Sequence, residues 1–161
     1  MFLRIENVEM KKLIGKSMIM SLAENKTYKL WQSFMMQRDL IINRVNSNYI
    51  SMQVFDYSKG SEIFNPDFEF EKWAVVEVTD FNQISDEMQS YELEGGLYAV
   101  FLHKGQPSLF LKTYKYIFEE WFPNSAYELD QREHFELLGK KYKNNDPTSE
   151  EEVYLPIKKR I

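Results

Sequence analysis

Gly95-Gly96-Leu97-Tyr98-Ala99-Val100-Phe101-Leu102-His103-Lys104-Gly105 decides how this chain is read. It is an apolar run that starts and stops on glycine, the pattern of a strand bounded by turns. Working toward the C-terminus, proline suits a first helical turn, so a helix is expected to open near Pro107 or Ser108. Phe110, Tyr114, Ile117, Phe118 and Trp121 form its apolar stripe, and Pro123-Asn124 stops it. Tyr127 to Leu138 supplies one or two strands, Asn144-Asn145-Asp146-Pro147 a turn-rich loop, and Glu151 to Ile157 a last strand.

Working toward the N-terminus, a short strand near Tyr91 follows a polar connection, Asn82 to Met88. Phe68 to Thr79 alternates, with Phe68, Phe70, Ala74, Val76 and Val78 on one face and Glu69, Glu71, Trp73, Val75 and Glu77 on the other. Tyr49 to Phe55 sets Ile50, Met52 and Val54 against Ser51 and Gln53, which predicts a half-buried strand. Lys26 to Arg38 reads as a helix with Asn25 as N-cap, because Leu30, Trp31, Phe34, Met35 and Arg38 share one face. Leu3 to Val8 and Leu13 to Leu22 are strand signals. The same order of elements occurs twice, and Lys26-Thr27-Tyr28-Lys29-Leu30 echoes Lys112-Thr113-Tyr114-Lys115-Tyr116. The expected fold is α+β: two tandem strand–helix–strand–strand modules, halves of about 1–80 and 90–161, with antiparallel sheets and two main helices on one side.

At 161 residues the chain fits one domain with a sizeable core. Its 43% hydrophobic and 16% aromatic content marks it as globular, and the ring content favours a cavity or interface. The net charge of −5 argues against non-specific nucleic-acid binding, and Lys158-Lys159-Arg160 reads as a solvated tail. The absence of cysteine excludes disulfide and thiolate chemistry. Charges in Met1-Phe2-Leu3-Arg4-Ile5-Glu6 stand where a signal peptide needs an apolar core, and no run is long enough to span a bilayer. The expectation is a soluble cytoplasmic protein that does not associate with membranes.

Glu136 is the chemical candidate. It interrupts Phe135-Glu136-Leu137-Leu138, and either points to solvent from a wet strand face or is buried. A buried carboxylate among rings suits a hydrophobic cation, whose water shell the rings and the charge replace together. Trp31, Phe34, Trp73, Tyr98, Trp121 and Tyr154 are candidate walls, each also able to serve as plain core. His103 closes a strand, and His134 stands two residues before Glu136, where it could orient the acid. No metal-ligand spacing, phosphate loop, dinucleotide fingerprint, nucleophile elbow or basic recognition helix is present, so no cofactor, metal or direct nucleic-acid contact is expected.

These residues resemble a known family. The Gly-x-Tyr-Ala-Val strand at Gly96 to Val100, His103-Lys104-Gly105, the helix ending at Trp121-x-Pro123, Phe135-Glu136 and Glu152-Val153-Tyr154-Leu155-Pro156-Ile157 are similar to the GyrI-like small-molecule-binding domain, also called the AraC-type effector-binding domain. Lys29-Leu30-Trp31-x-x-Phe34 and Phe70-Glu71-Lys72-Trp73-Ala74 look like its stand-alone bacterial members. The resemblance implies a tandem-module fold that binds hydrophobic, often cationic or aromatic compounds between its halves, with Glu136 at the bottom of the cleft. It implies a sensing or sequestering role connected with multidrug-responsive transcription regulation and xenobiotics. The alternatives it carries are a hydrolase of electrophilic xenobiotics using Glu136, and a gyrase-inhibitor-like role, with a regulator or gyrase as protein partner. Relatives often place an aromatic two residues after the glutamate. Leu138 and Gly139 stand there instead, with Tyr142 nearby in sequence, so no catalytic residue is assigned.

Overall fold

The computed structural model describes residues 1–161. Its strands are β1 (Phe2–Val8), β2 (Lys11–Met20), β3 (Tyr49–Val54), β4 (Phe70–Val78), β5 (Gln89–Leu93), β6 (Gly96–Lys104), β7 (Tyr127–Leu129), β8 (His134–Leu138) and β9 (Glu150–Lys159). The helices are α1 (Thr27–Gln37) and α2 (Phe110–Lys115). The second continues as a π-helical stretch, Tyr116–Trp121, and ends in a short 3-10 turn, Phe122–Asn124. The N-cap of α1 is Lys26 and not Asn25 as expected; Asn25 stands one residue earlier, its Oδ1 accepting from the Thr27 amide at 2.9 Å.

The strands pair antiparallel in the order β1-β6-β9-β8-β3-β4-β2-β5, with β7 alongside the end of β9. About the β3–β8 junction this order mirrors itself: β2, α1, β3, β4 on one side stand opposite β6, α2, β8, β9 on the other. The fold is thus α+β, mostly antiparallel sheet with two helices.

Alternation along the strands separates the apolar residues into three cores. Under α1, Leu30 and Phe34 pack on Ile14, Ala74, Val76 and Val78. Under α2, Ile117 and Phe122 pack on Ala99, Phe101, Val153, Leu155 and Ile157. On the opposite face lie Leu13, Ile50, Met52, Trp73, Val75, Tyr98, Val100, Phe135 and Tyr154. Val8 of β1 and Leu93 of β5, from the two ends of the strand order, join this same core, so the sheet curls upon itself. Each fully buried large side chain contributes about 1.5–3 kcal/mol.

Gly95 and Gly96, with φ of +86° and +121°, make the turn from β5 into β6. A Cβ on Gly95 would fall 2.2 Å from the Val8 carbonyl oxygen, which leaves glycine as the residue that fits. Arg132 locks the same corner. It donates to the carbonyls of Gly95 (2.9 Å), Leu97 (2.5 Å) and Ile157 (3.3 Å), pairs with Asp130 at 2.8 Å, and lies over the Tyr98 ring.

Two expectations are corrected. β3 is buried on both faces, because Ser51 and Gln53 lie beneath structure rather than in water. Lys158-Lys159-Arg160 is exposed as expected but is not a tail: Lys158 and Lys159 end β9, and Arg160 donates to the carbonyls of Phe122 and Tyr127.

Candidate functional site

The middle of the helix-bearing face is polar. No fully buried member of either helix-side core comes from β3 or β8. In their place the strands present Ser51, Gln53, His134 and Glu136, continued by Glu151 on β9 and His103 on β6. All six are buried. Alternation explains the placement: odd-numbered positions of β3 and β9 and even-numbered positions of β8 face the helices.

Glu136 is 7% exposed, so the solvent-facing alternative does not hold. Its Oε2 accepts from the Gln53 side-chain amide at 3.1 Å across the β3–β8 pair, and no Lys, Arg or His forms an ion pair with it. Burying a carboxylate with a neutral partner alone is costly, and the structure tolerates it at the centre of the sheet.

Glu151 is the residue sequence reasoning missed. It is 8% exposed, and no hydrogen bond or ion pair satisfies its carboxyl. Burial first, then the negative charge of Glu136, push its pKa up to about 8, with Lys72 pulling weakly the other way. Tyr114 from α2 faces both acids, and its hydroxyl is held well above the ordinary tyrosine range by burial and then by their charges. Tyr142 also senses Glu151. Glu151 opens the last expected strand and shares its face with Val153, Leu155 and Ile157, and that phase was the available signal.

His103 stacks on Phe110 at 4.0 Å, with Nδ1 2.7 Å from the Thr113 hydroxyl and Nε2 3.1 Å from the Gln106 carbonyl. It ties β6 to the start of α2. His134 is buried, its Nε2 has no partner, and burial pushes its pKa down to about 3. It makes no bond to Glu136; Gln53 takes the orienting role considered for it.

Rings gather over this floor. Phe55 lies 4.9 Å from His134, and Phe64 reaches Phe118 (4.9 Å), Tyr114 (6.3 Å) and His134 (6.3 Å). Trp31 stands on the same side, edge-on to Phe34 and Tyr49, while Phe34 itself is fully buried core. The structure separates the other candidate walls from Glu136. Trp73, Tyr98 and Tyr154 point to the opposite face of the sheet. There Trp73 donates to Glu71, Tyr98 to the Glu133 carbonyl, and Tyr154 accepts from Arg4. Trp121 packs on Phe2, Phe101 and Tyr127, over β1 and β6 and beyond β9 from Glu136.

A hollow of about 90 Å³ on the opposite face is lined by Glu6, Lys11, Ile50, Glu77, Phe135 and Tyr154 among others, and one of about 140 Å³ by Ile19, Phe55, Asp56, Lys59, Phe70 and Glu71 among others; neither includes Glu136. No group of three or more His, Cys, Asp or Glu is placed to hold a metal ion, and no helix is long and apolar enough to cross a membrane.

The fold and this floor define a class, and the comparisons name it. The sequence profile of the GyrI-like small molecule binding domain matches residues 1–158, so the chain belongs to that family. A comparison with curated proteins finds no match. Among solved structures, SAV2435 bound to tetraphenylphosphonium is similar with a TM-score of 0.72 at 14% identity, covering 98% of this chain and 94% of that one. The C-terminal domain of EcmrR is similar with a TM-score of 0.72 at 15% identity, covering 99% of each chain. A hydrolase from Listeria innocua is similar with a TM-score of 0.59 at 12% identity, covering 96% of this chain and 91% of that one. At these identities the likeness is one of fold.

Proposed function

We propose that this protein receives a lipophilic organic cation above Glu136, between α1 and α2, and acts as a sensor or sequestering protein for such compounds. The observation that carries the reading is Glu136 itself: a carboxylate 7% exposed, bonded to the neutral Gln53 amide and lacking a cation of its own. A guest with a delocalised positive charge would supply that counter-charge, and ring faces would replace its water. Phe55, Phe64, Tyr114 and Phe118 are rings gathered on the same side of the sheet, with Trp31 on α1. Phe64 is 46% exposed and belongs to the connection between β3 and β4, so it is the group whose displacement admits a ligand. The mirrored strand order supports reading residues 1–80 and 90–161 as duplicated modules, with the site on their seam. The fold shared with a tetraphenylphosphonium-bound protein supports the ligand class.

The test titrates tetraphenylphosphonium against wild type and Glu136→Gln. Loss of one charged hydrogen-bonding partner predicts a weakening of about 1–3 kcal/mol. Equal affinity of the two proteins removes Glu136 from the site. Product formation beyond one equivalent from an electrophilic lipophile, abolished in Glu136→Gln, would turn the reading toward a hydrolase.

A further inference from the structure

Glu136 does not stand alone in the helix-side floor. It faces Val153 across the β8–β9 pair, and Glu151 lies two residues along β9 on the same face. The two acids are therefore diagonal neighbours, with a backbone separation of about 7–8 Å. Glu151 is 8% exposed and makes no hydrogen bond or ion pair. Beside Glu136 on β8, the Nε2 of His134 is buried with no partner. The fold thus lines one polar floor with a buried imidazole nitrogen that has no partner and, on the other side of Glu136, a carboxyl that no protein group binds.

The groups that face Glu151 fix its charge state. Glu136 on β8 repels a second negative charge. Lys72 on β4 attracts it, and is further off than an ion pair. His103, the cross-strand neighbour on β6, is held toward its neutral form by burial and is engaged with Thr113 and Gln106. Tyr114 on α2 and Tyr142 in the β8–β9 connection have raised pKa values and stay neutral. His134 is neutral as well. Burial and the neighbouring Glu136 charge outweigh Lys72, so Glu151 keeps its proton near neutral pH.

We propose that Glu151 is a second ligand-facing carboxyl, protonated while the site is empty and ionised when an organic cation lies between it and Glu136, so that binding expels one proton to solvent. This rests on the cation-binding reading above and names how the same site selects charge. The empty site holds one carboxylate and one carboxylic acid. The occupied site holds two carboxylates and the cation, with the proton passed to buffer. No bond other than O–H is broken. Such a site discriminates twice: a neutral lipophile displaces no proton and gains nothing from Glu151, whereas a broad cation touches both acids.

The experiment is calorimetry with tetraphenylphosphonium, which carries no titratable proton, in buffers of matched pH and differing ionisation enthalpy. At pH 7 wild type should release close to one proton per ligand, and affinity should tighten by roughly tenfold per pH unit between pH 6 and 7.5. Glu151→Gln should bind with no proton released and with a flat pH profile; Glu151→Met serves if the glutamine variant does not fold. A ligand-free check is the infrared stretch of a protonated carboxyl, present in wild type at pH 7 and absent in either variant. Binding by wild type with no proton release overturns the role of Glu151 and leaves the cation-binding reading intact. Absence of binding heat from folded wild type overturns the cation-binding reading and this inference with it, whatever the infrared band shows.

Discussion

The side-chain amide of Gln53 donates to Glu136 at 3.1 Å, joining β3 to β8 at the middle of the sheet. Each residue comes from a different side of the strand order, so this one bond is a cross-link between the halves as well as the support of the buried acid. Replacing Gln53 by Ala should cost about 1–3 kcal/mol of stability, because Glu136 is left buried without a partner. The double variant with Glu136→Gln should recover part of the loss, since the unsatisfied charge is then gone. Urea denaturation of the four proteins measures both effects.

His134 predicts acid sensitivity. Its ordinary value of 6.5 is depressed to about 3 by burial, so the unfolded chain binds the extra proton between those limits. The contribution of this group to stability therefore falls as pH drops from 6.5 toward 3, by at most about 1.4 kcal/mol per pH unit. His134→Leu should remove this group's share and leave the opposing share of Glu151 exposed, so that the variant is more stable at pH 5 than at pH 7 in denaturation midpoints.

Glu151 predicts the opposite sign. Its ordinary value of 4.5 is raised to about 8, so the folded protein binds the extra proton and this contribution falls as pH climbs from 4.5 to 8. Between about pH 5 and 6 the two slopes offset each other, and wild type should be nearly level there. Glu151→Gln should expose the His134 slope, with stability rising over that interval, and should exceed wild type in stability above pH 8. Thermal melts across pH 5 to 9 check all three statements.

Arg132 predicts a large structural loss. Its guanidinium holds the carbonyls of Gly95, Leu97 and Ile157 together with Asp130. Arg132→Ala should destabilise by about 3 kcal/mol or more, through several charged hydrogen bonds at once. Arg132→Lys should recover little, because an ammonium cannot reproduce a planar fork of donors. Glu136-dependent binding should persist in whichever variant stays folded.

Much of the fold was legible because its strands are periodic and well punctuated. The face assignments held within Phe70–Val78, while Phe68, Glu69 and Thr79 fall outside the strand, and Gly95-Gly96 marked the corner that Arg132 now explains. The site was less legible, for a physical reason. Alternation reports which residues share a face but not whether that face is wet. Ser51 and Gln53 alternate with Ile50 and Met52 as if exposed, and are buried because a second layer covers them. The same ambiguity made Trp73, Tyr98 and Tyr154 candidates beside Glu136, although strand phase puts them on the other side of the sheet. Glu151 was hidden by its acidic neighbours Glu150 and Glu152. The π-helical stretch at Tyr116–Trp121 leaves no mark in the apolar spacing, since the stripe through Ile117, Phe118 and Trp121 suits a regular helix equally well.

The seam between β3 and β8 is short, five facing positions from Tyr49 opposite Leu138 to Gln53 opposite His134. Neither oily cushion under the helices extends its deepest residues onto it. A guest lodged there would act as a rivet between the left and right wings of the molecule. Its arrival should sharpen the melting transition as well as shift it, so that the protein's resistance to being pulled apart becomes the signal that it is loaded.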